Sequence, residues 1–293
     1  MNGTSFQSDI RFWLRQGNTV NHLLLWNIIV FLGINILRLV ITFSPGNVAY
    51  AWTFDQLALH SQLSTFILKP WGLITYMFTH VGIFHIFFNM LNLYWFGNLF
   101  RGFLGNQRIL PLYLLGGITG GLLYLLCYNL FLGYVDATMI GASASVMCIL
   151  VATATLMPNY EIGLLFLGSV KLKWLALALI VLGLISIPDG NLGGIISHMG
   201  GALLGFFYIR ILQNGTDLCK PLIWVFDAET RREQRKKQVH KFKPKKSPLK
   251  AVKKTDDNSQ LKLDQLLDKI NEKGYQSLSA EEKAWLDKVS KEN

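Results

Sequence analysis

Charged residues are scarce in most of this chain, and their scarcity excludes an ordinary soluble protein. Charged side chains make up 16% of the 293 residues and hydrophobic ones 51%, and the mean hydropathy is +0.33. Soluble domains carry about 25% charged residues. Residues 1–213 contain only 9 of the 28 Lys/Arg and 5 of the 18 Asp/Glu. The composition therefore predicts a membrane-embedded body followed by a highly charged tail.

Cysteine is also rare, which excludes a fold held together by a framework of disulfide bonds. The three cysteines are Cys127, Cys148 and Cys219. The first two lie inside apolar runs, where we interpret them as packing residues. We expect no metal site and no cofactor.

Long apolar runs predict six transmembrane helices. A helix needs about 20 residues to cross a bilayer, and the fifth run is the weakest because it is clearly shorter than this. Basic loop residues collect on one side of the spans, so the positive-inside rule predicts that both termini are cytoplasmic. The predicted spans are residues 22–43, 81–100, 109–132, 139–157, 174–187 and 191–209. Between the first two, residues 44–79 are amphipathic and rich in aromatics, which is typical of a membrane–water boundary.

Four polar side chains are predicted to lie at a similar depth in three spans that enter from the outer face. His85 and Asn89 are spaced i, i+4 and so share one helical face. Ser143 is predicted about 6 Å deep in span four and His198 about 10 Å deep in span six, at 1.5 Å per residue. Buried polar groups in lipid cost free energy unless they find partners. Their coincidence predicts one common site.

The residue types in this set match nucleophilic catalysis. A serine needs a neighbouring base, for which histidine is the usual choice, so Ser143 and His198 are the candidate pair. Asn89, His85 and the backbone N–H of Ser143 are candidate donors to an oxyanion. No acid is positioned to orient His198.

Each candidate also has a structural interpretation. His85 and Asn89 could form interhelical hydrogen bonds that only stabilise packing, and Ser143 could be a small packing residue. His198 could be a structural or proton-relay histidine. The residues that we interpret as structural or as helix-packing residues are His80, Gly141, Gly201 and Gly205.

Three ordered motifs resemble those of the rhomboid family of intramembrane serine proteases. They are His80-Val81-Gly82-Ile83-Phe84-His85-Ile86-Phe87-Phe88-Asn89, Gly141-Ala142-Ser143-Ala144 and His198-x-x-Gly201-x-x-x-Gly205. The resemblance covers roughly residues 20–212 and implies an all-α membrane protein with a six-transmembrane-helix core and a half-inserted amphipathic loop after helix 1. It implies a catalytic dyad of Ser143 and His198, with His85 and Asn89 as oxyanion-hole residues. The substrates would be membrane-anchored proteins, cleaved within or near a transmembrane helix.

The chain departs from the family pattern at three positions. Gly72 follows Trp71 where the family often has an arginine, which is usually a structural anchor. Ala144 stands where a glycine is common, and Met147 stands where a tyrosine often stacks on the histidine. No reacting group is lost at these positions.

The tail predicts two further parts. From Arg231 to Lys254 there are twelve Lys/Arg and one acid, which predicts a polybasic linker. We expect this linker to attract anionic lipid head groups and not to bind nucleic acid. After it, the sequence predicts a small C-terminal helical hairpin. The evidence is a run of apolar residues at helical spacing, then Gly274, then a Ser279–Glu282 capping box. We expect the hairpin to have a cytosolic partner. The hairpin resembles an appendage of some bacterial rhomboid-like proteins. The predicted domains are an N-terminal interfacial segment at 1–20, the membrane domain at 21–213, the basic linker at 214–260 and the hairpin at 261–293.

The sequence favours an intramembrane serine endopeptidase in the inner membrane of a bacterium. The alternative is a catalytically inactive rhomboid-like chaperone or scaffold that binds transmembrane clients. A transporter is disfavoured, because it would need polar residues through the full depth of the spans.

Overall fold

The computed structural model describes residues 17–43, 48–132, 136–164, 168–185, 192–226 and 257–292. The chain divides into two compact units, Met1–Arg232 and Glu233–Asn293. Most of the predicted N-terminal interfacial segment and of the basic linker, including the polybasic run, lies outside the described residues.

Helices dominate the first unit, and two short strand pairs interrupt them. Short 3₁₀ turns at Tyr76–Phe78 and Asn106–Arg108 precede α5 and α6. In chain order the elements are α1 Thr19–Phe43, α2 Ala49–Leu57, β1 Leu59–His60, α3 Leu63–Leu68, α4 Gly72–Thr75, α5 Ile83–Leu104, α6 Ile109–Leu130, β2 Thr138–Met139, α7 Ser143–Leu156, β3 Glu161–Leu164, β4 Gly168–Lys171, α8 Leu172–Ile185, α9 Leu192–Gln213 and α10 Lys220–Phe226.

The six predicted spans each coincide with a helix, but the helices differ in length. Within the described residues, three helices are long and apolar enough to cross a membrane: α1, α6 with its preceding turn, and α9. A fourth candidate is the pair formed by the α4 region and α5, which is bent by 92°. Helices α7 and α8 have 14 residues each, which gives about 21 Å of length against a hydrocarbon core of about 30 Å. The six-span count therefore stays a prediction.

Two short strand pairs accompany the helices of the expected, mostly helical fold. β1 pairs antiparallel with β2, Leu59 opposite Met139 and His60 opposite Thr138, and β3 pairs with β4 as a hairpin. Because residues 138 and 139 are extended, the predicted span 139–157 begins as a helix only at Ser143. Ser143 is therefore the first residue of its helix and not one turn inside it.

The interfacial segment, residues 48–82, joins α1 to α5 and is held by polar contacts. Asp55 forms an ion pair with Lys69 and lies 3.3 Å from the His60 ring nitrogen. The indole N–H of Trp71 donates to the Gln56 carbonyl at 2.9 Å. These bonds fix the amphipathic segment, while its depth in a bilayer stays a prediction.

Helix α6 lies at the centre of the packing and contacts its neighbours through glycines. Gly116 faces Cys148 on α7, and a Cβ on Gly120 would lie 2.7 Å from the carbonyl oxygen of Ser197 on α9. In lipid there is little hydrophobic drive between helices, so close packing of small residues supplies much of the attraction. Gly116 and Gly120, spaced i, i+4 on α6, are used in this way.

Helix α9 lies directly on α7 at the two glycines that the sequence marks for close packing. A Cβ added to Gly201 would collide with the carbonyl oxygen of Ala144, and one added to Gly205 would collide with that of Cys148. The backbones therefore touch, and this contact sets the distance between Ser143 and His198.

The second unit contains the predicted helical hairpin. Helix α11 spans Asp257–Lys273 and α12 spans Ala280–Glu292. Gly274, at φ +76°, ends α11. The capping box is confirmed, because Ser279 Oγ accepts from the Glu282 N–H at 3.2 Å and Glu282 accepts from the Ser279 N–H at 2.7 Å.

We predict that Gly201→Ala destabilises the helix bundle by about 1–3 kcal/mol, because the new methyl group has no room beside the Ala144 carbonyl. Thermal unfolding in detergent measures the change. Gly33→Ala on α1 is the matched control, since a Cβ at Gly33 meets nothing within 4 Å. Equal melting temperatures for the two variants would contradict the close contact of α9 with α7.

We predict that the Asp55–Lys69 pair makes stability depend on pH. The hydrogen bond from Lys69 holds the pKa of the Asp55 carboxyl below its ordinary value. Its stabilisation is complete above the unfolded aspartate pKa of about 3.9 and disappears as the pH falls through the lower folded pKa. The carboxylate is 44% exposed, which limits the pair to at most about 1 kcal/mol.

Asp55→Asn should therefore lower the melting temperature at pH 7, and the difference from the parent chain should shrink as the pH falls below about 4. Asp136→Asn is the control, because Asp136 has no ion pair among the described residues. A pH-independent difference for Asp55→Asn would show that its carboxylate is not stabilised by Lys69.

Candidate functional site

One cavity of about 580 Å³ is lined by helices α5, α7, α8 and α9 and by the turn before α7. It brings together four of the predicted polar residues and one predicted glycine: His85, Asn89, Gly141, Ser143 and His198. Its other lining residues are Tyr76, Phe84, Phe88, Asn92, Thr138, Met139, Ile140, Val146, Met147, Leu150, Leu179, Gly194 and Ser197. The structure brings these side chains to one cavity, while their common depth in a membrane stays a prediction.

The turn Ile140–Ser143 places the serine at the start of α7. Strand β2 is fixed just before it, because Ser61 N–H donates to the Ala137 carbonyl at 2.9 Å and Ser61 Oγ accepts from the Ala137 N–H at 2.9 Å. Gly141 then adopts φ +119°, which reverses the chain and is strained for other residues. Ser143 is half-buried at the first helical position, where the positive end of the helix dipole lies.

The amide groups at the start of α7 have no side-chain cap. The preceding residue, Ala142, cannot supply one. The N–H of Gly141 donates to the Tyr76 carbonyl at 2.8 Å. Within the described residues the N–H of Ser143 has no acceptor, so it is available to a negatively charged ligand.

His198 lies on α9 and faces the same cavity as Ser143. No hydrogen bond joins the Ser143 hydroxyl to the His198 ring in the part of the chain that the structure describes. Catalytic hydrogen bonds are often long in the absence of substrate and tighten when it binds. The two side chains therefore share one cavity without a direct hydrogen bond between them among the described residues.

Asn89 and His85 approach the serine from α5. The Asn89 amide donates one hydrogen to the His85 carbonyl at 2.9 Å and keeps a second hydrogen for another acceptor. The His85 ring lies over Gly141, where an added Cβ would be 2.6 Å from the ring. Both side chains can therefore donate toward an oxygen atom bound near Ser143.

His80 does not line the cavity. It is fully buried, and its Nε2 accepts a hydrogen bond from the Ala142 N–H at 3.2 Å. The structural interpretation of His80 stays a prediction, and the bond ties its ring to the residue immediately before Ser143.

Acids and metal ligands are not assembled at the cavity. None of its described lining residues is Asp or Glu, and Asp189, which the sequence places near the mouth of span six, is outside the described residues. The described chain contains no group of three or more His, Cys, Asp or Glu that could hold a metal ion.

Comparison with known families identifies the first unit. The model of the rhomboid domain matches residues 68–215, which is half of the chain and includes every candidate site residue. The chain belongs to the rhomboid family. Its C-terminal residues 253–292 match a second model, described as a family of unknown function (DUF6576).

Two curated rhomboid proteins are similar to this one over part of their length. Presenilin-associated rhomboid-like protein A, mitochondrial, from Danio rerio is 30% identical over 142 residues, which is 45% of this chain and 35% of that protein. RHOMBOID-like protein 12, mitochondrial, from Arabidopsis thaliana is 32% identical over 148 residues, 44% of this chain and 43% of that protein. The match thus spans less than half of each relative.

Sequence reasoning about this rhomboid domain missed several lining residues. Asn92 follows Asn89 by three residues and His85 by seven, so helical spacing places it on the same face. That signal was present in the sequence. Leu179 on α8 carried none, because an apolar residue in an apolar run does not indicate which side of the helix faces a cavity.

We predict that Gly141→Ala in the rhomboid domain disturbs the serine turn. The substitution adds a side chain both at a positive φ and against the His85 ring, whereas Gly168→Ala, at φ +71°, adds one where nothing lies within 4 Å. The backbone strain costs about 1–3 kcal/mol at either site. Only Gly141→Ala should also slow labelling of Ser143 by a fluorophosphonate probe, and equal labelling of both variants would contradict the His85 contact.

Proposed function

We propose that this chain is an intramembrane serine endopeptidase that cleaves membrane-anchored proteins within or near a transmembrane helix. The observation that carries the proposal is the shared cavity: a serine, two histidines and an asparagine from three helices line one concave space of about 580 Å³. Concave sites with a few convergent polar groups in an apolar lining are typical of small-ligand and substrate binding. Membership of the rhomboid family supports the same reading.

The reaction would proceed through an acyl-enzyme. His198 accepts the hydroxyl proton of Ser143 as the serine oxygen attacks the scissile carbonyl carbon. The Ser143 N–H, the Asn89 amide and His85 donate to the oxyanion. His198 then protonates the leaving amine, and a water molecule that gives a proton to His198 hydrolyses the acyl-enzyme.

The distribution of side chains on helix α5 supports this mechanism, because some apolar ones face outward while the polar Asn89 is buried. Helix α5 turns aromatic side chains such as Phe87 outward, where they are exposed to the surroundings of the bundle, while Asn89 on the same helix is buried. Polar groups inside an apolar bundle are costly unless they serve a purpose or find partners. The first-turn amide of Ser143 adds a donor that is already fixed in place.

A second candidate is a catalytically inactive rhomboid-like chaperone or scaffold. The observation in its favour is that the structure, which describes both Ser143 and His198, shows no hydrogen bond between them. The same cavity would then hold a transmembrane client without cleaving it. We favour the protease because both reacting groups are present and line the same space.

We further propose six spans with both termini in the cytoplasm. In that topology the short helices α7 and α8 cross the membrane together with the chain segments that adjoin their ends, which add the missing length. The bacterial inner membrane remains a proposal drawn from the sequence; the two relatives are mitochondrial by name. Reporter fusions after Gln213 and after residue 293 test the side on which the tail lies.

The tail is proposed to act at the cytoplasmic surface. Anionic lipid head groups attract basic residues by about 1 kcal/mol each near the membrane, so the polybasic linker would bind an anionic lipid surface. The hairpin would bind a cytosolic partner, and nucleic acid is not expected.

We predict that Ser143→Ala and His198→Ala each reduce cleavage of a single-span model substrate at least about a thousandfold, because members of a nucleophile–base pair act as a unit. Purified protein in proteoliposomes and a gel-based cleavage assay measure the rate. Fluorophosphonate labelling should disappear in Ser143→Ala.

The matched controls are Ser145→Ala and Met199→Ala, which change neighbouring residues on α7 and α9. Ser145 is fully buried, and its hydroxyl has no hydrogen-bond partner among the described residues. Met199 is half exposed. Both controls should retain cleavage and labelling. Client binding without cleavage or labelling in the parent chain would favour the scaffold.

A further inference from the structure

His80 makes a single specific contact with the catalytic turn. Its Nε2 lies 3.2 Å from the backbone nitrogen of Ala142, 62 residues away in the chain. An amide N–H can only donate, so the ring nitrogen must accept and cannot carry a proton. A neutral His80 ring then carries its proton on Nδ1.

The contact fixes the peptide group immediately before the one that carries the Ser143 N–H. On one side Gly141 N–H is bound to the Tyr76 carbonyl at 2.8 Å, and on the other the Ala142 carbonyl accepts from Val146 N–H at 2.9 Å. With Ala142 N–H held by His80, the amide of Ser143 is the next donor along the chain. It has no acceptor among the described residues.

His80 also contacts the second donor side chain. Its ring meets the His85 ring edge-on, with centroids 5.0 Å apart and planes at 64°. The His85 ring in turn covers Gly141, where an added Cβ would lie 2.7 Å from Nε2. The two histidines therefore hold the Gly141–Ala142 backbone from adjacent sides.

We propose that His80 is a positioning residue whose unprotonated Nε2 holds the Ala142 peptide, so that the Ser143 N–H points into the cavity as an oxyanion donor. This inference rests on the proposed protease function. A ring with a proton on Nε2 would set two N–H groups against each other and release the turn. A packing role alone would require only the volume of the ring.

Two substitutions separate positioning from packing. In His80→Gln the side-chain carbonyl oxygen can replace Nε2 as acceptor, whereas His80→Leu fills part of the volume without an acceptor. We expect His80→Leu to lower kcat about ten- to a hundredfold with little change in KM, because a displaced donor weakens transition-state binding. His80→Gln should keep kcat within about threefold of the parent.

The thermal stability of each variant is measured as well, and the kinetic assays are run well below the lowest melting temperature among the variants. Ser145→Ala serves as the control for loss of a buried polar group. If His80→Leu is folded and keeps the parent kcat, the positioning role is refuted. If His80→Gln loses as much kcat as His80→Leu, an acceptor is not what the turn requires, and the inference is again overturned.

A measurement that does not depend on activity keeps the inference testable if either His80 variant does not fold. Nitrogen-15 NMR of the histidine-labelled parent chain should show an unprotonated Nε2 and a protonated Nδ1 for His80 at neutral pH. A proton on Nε2 would overturn the inference. Absence of both cleavage and Ser143 labelling in the parent chain would instead refute the proposed function, whatever the tautomer of His80.

Discussion

The contact of α9 with α7 is the constraint on which the site depends. Gly201 and Gly205 have no side chains between their backbone and the carbonyl oxygens of Ala144 and Cys148. In lipid, apolar side chains gain little by moving from hydrocarbon to another helix, so the gain comes from close van der Waals contact. Ser143 and His198 each lie within one turn of this contact. A bundle that loosened there would move Ser143 away from His198.

Around that contact, the start of α7 is held by backbone hydrogen bonds and by the His80 ring, which accepts from the Ala142 N–H. Gly141 donates to the Tyr76 carbonyl, and strand β2 is paired with β1. The interfacial segment thus fixes the serine turn from one side and α9 fixes α7 from the other. Uncapped amides at a helix start need an acceptor. The Ser143 N–H has none among the described residues, so this turn leaves it available to an anion.

The sequence predicted which polar residues share a cavity better than it predicted the elements that carry them. His85, Asn89, Ser143 and His198 were found because polar residues are conspicuous in apolar runs and helical spacing assigns them to faces. The strand before Ser143 was missed, because a two-residue pairing with Leu59 and His60 depends on a distant segment and leaves no local pattern. The span boundary at residue 139 was wrong for the same reason. The position of Leu179 in the cavity lining depends on tertiary packing alone.

The departure at Gly72 has a structural explanation in this rhomboid domain. A Cβ there would lie 2.9 Å from the Ala58 carbonyl oxygen, so the backbone leaves no room for the arginine that the resemblance leads one to expect. The same segment is held by Lys69, which is paired with Asp55 on α2, and by Thr75 Oγ, which donates to the Leu57 carbonyl at 2.8 Å. An exposed ion pair contributes little by itself. Several such contacts acting on one short segment keep it in register with β2, and through β2 with Ser143.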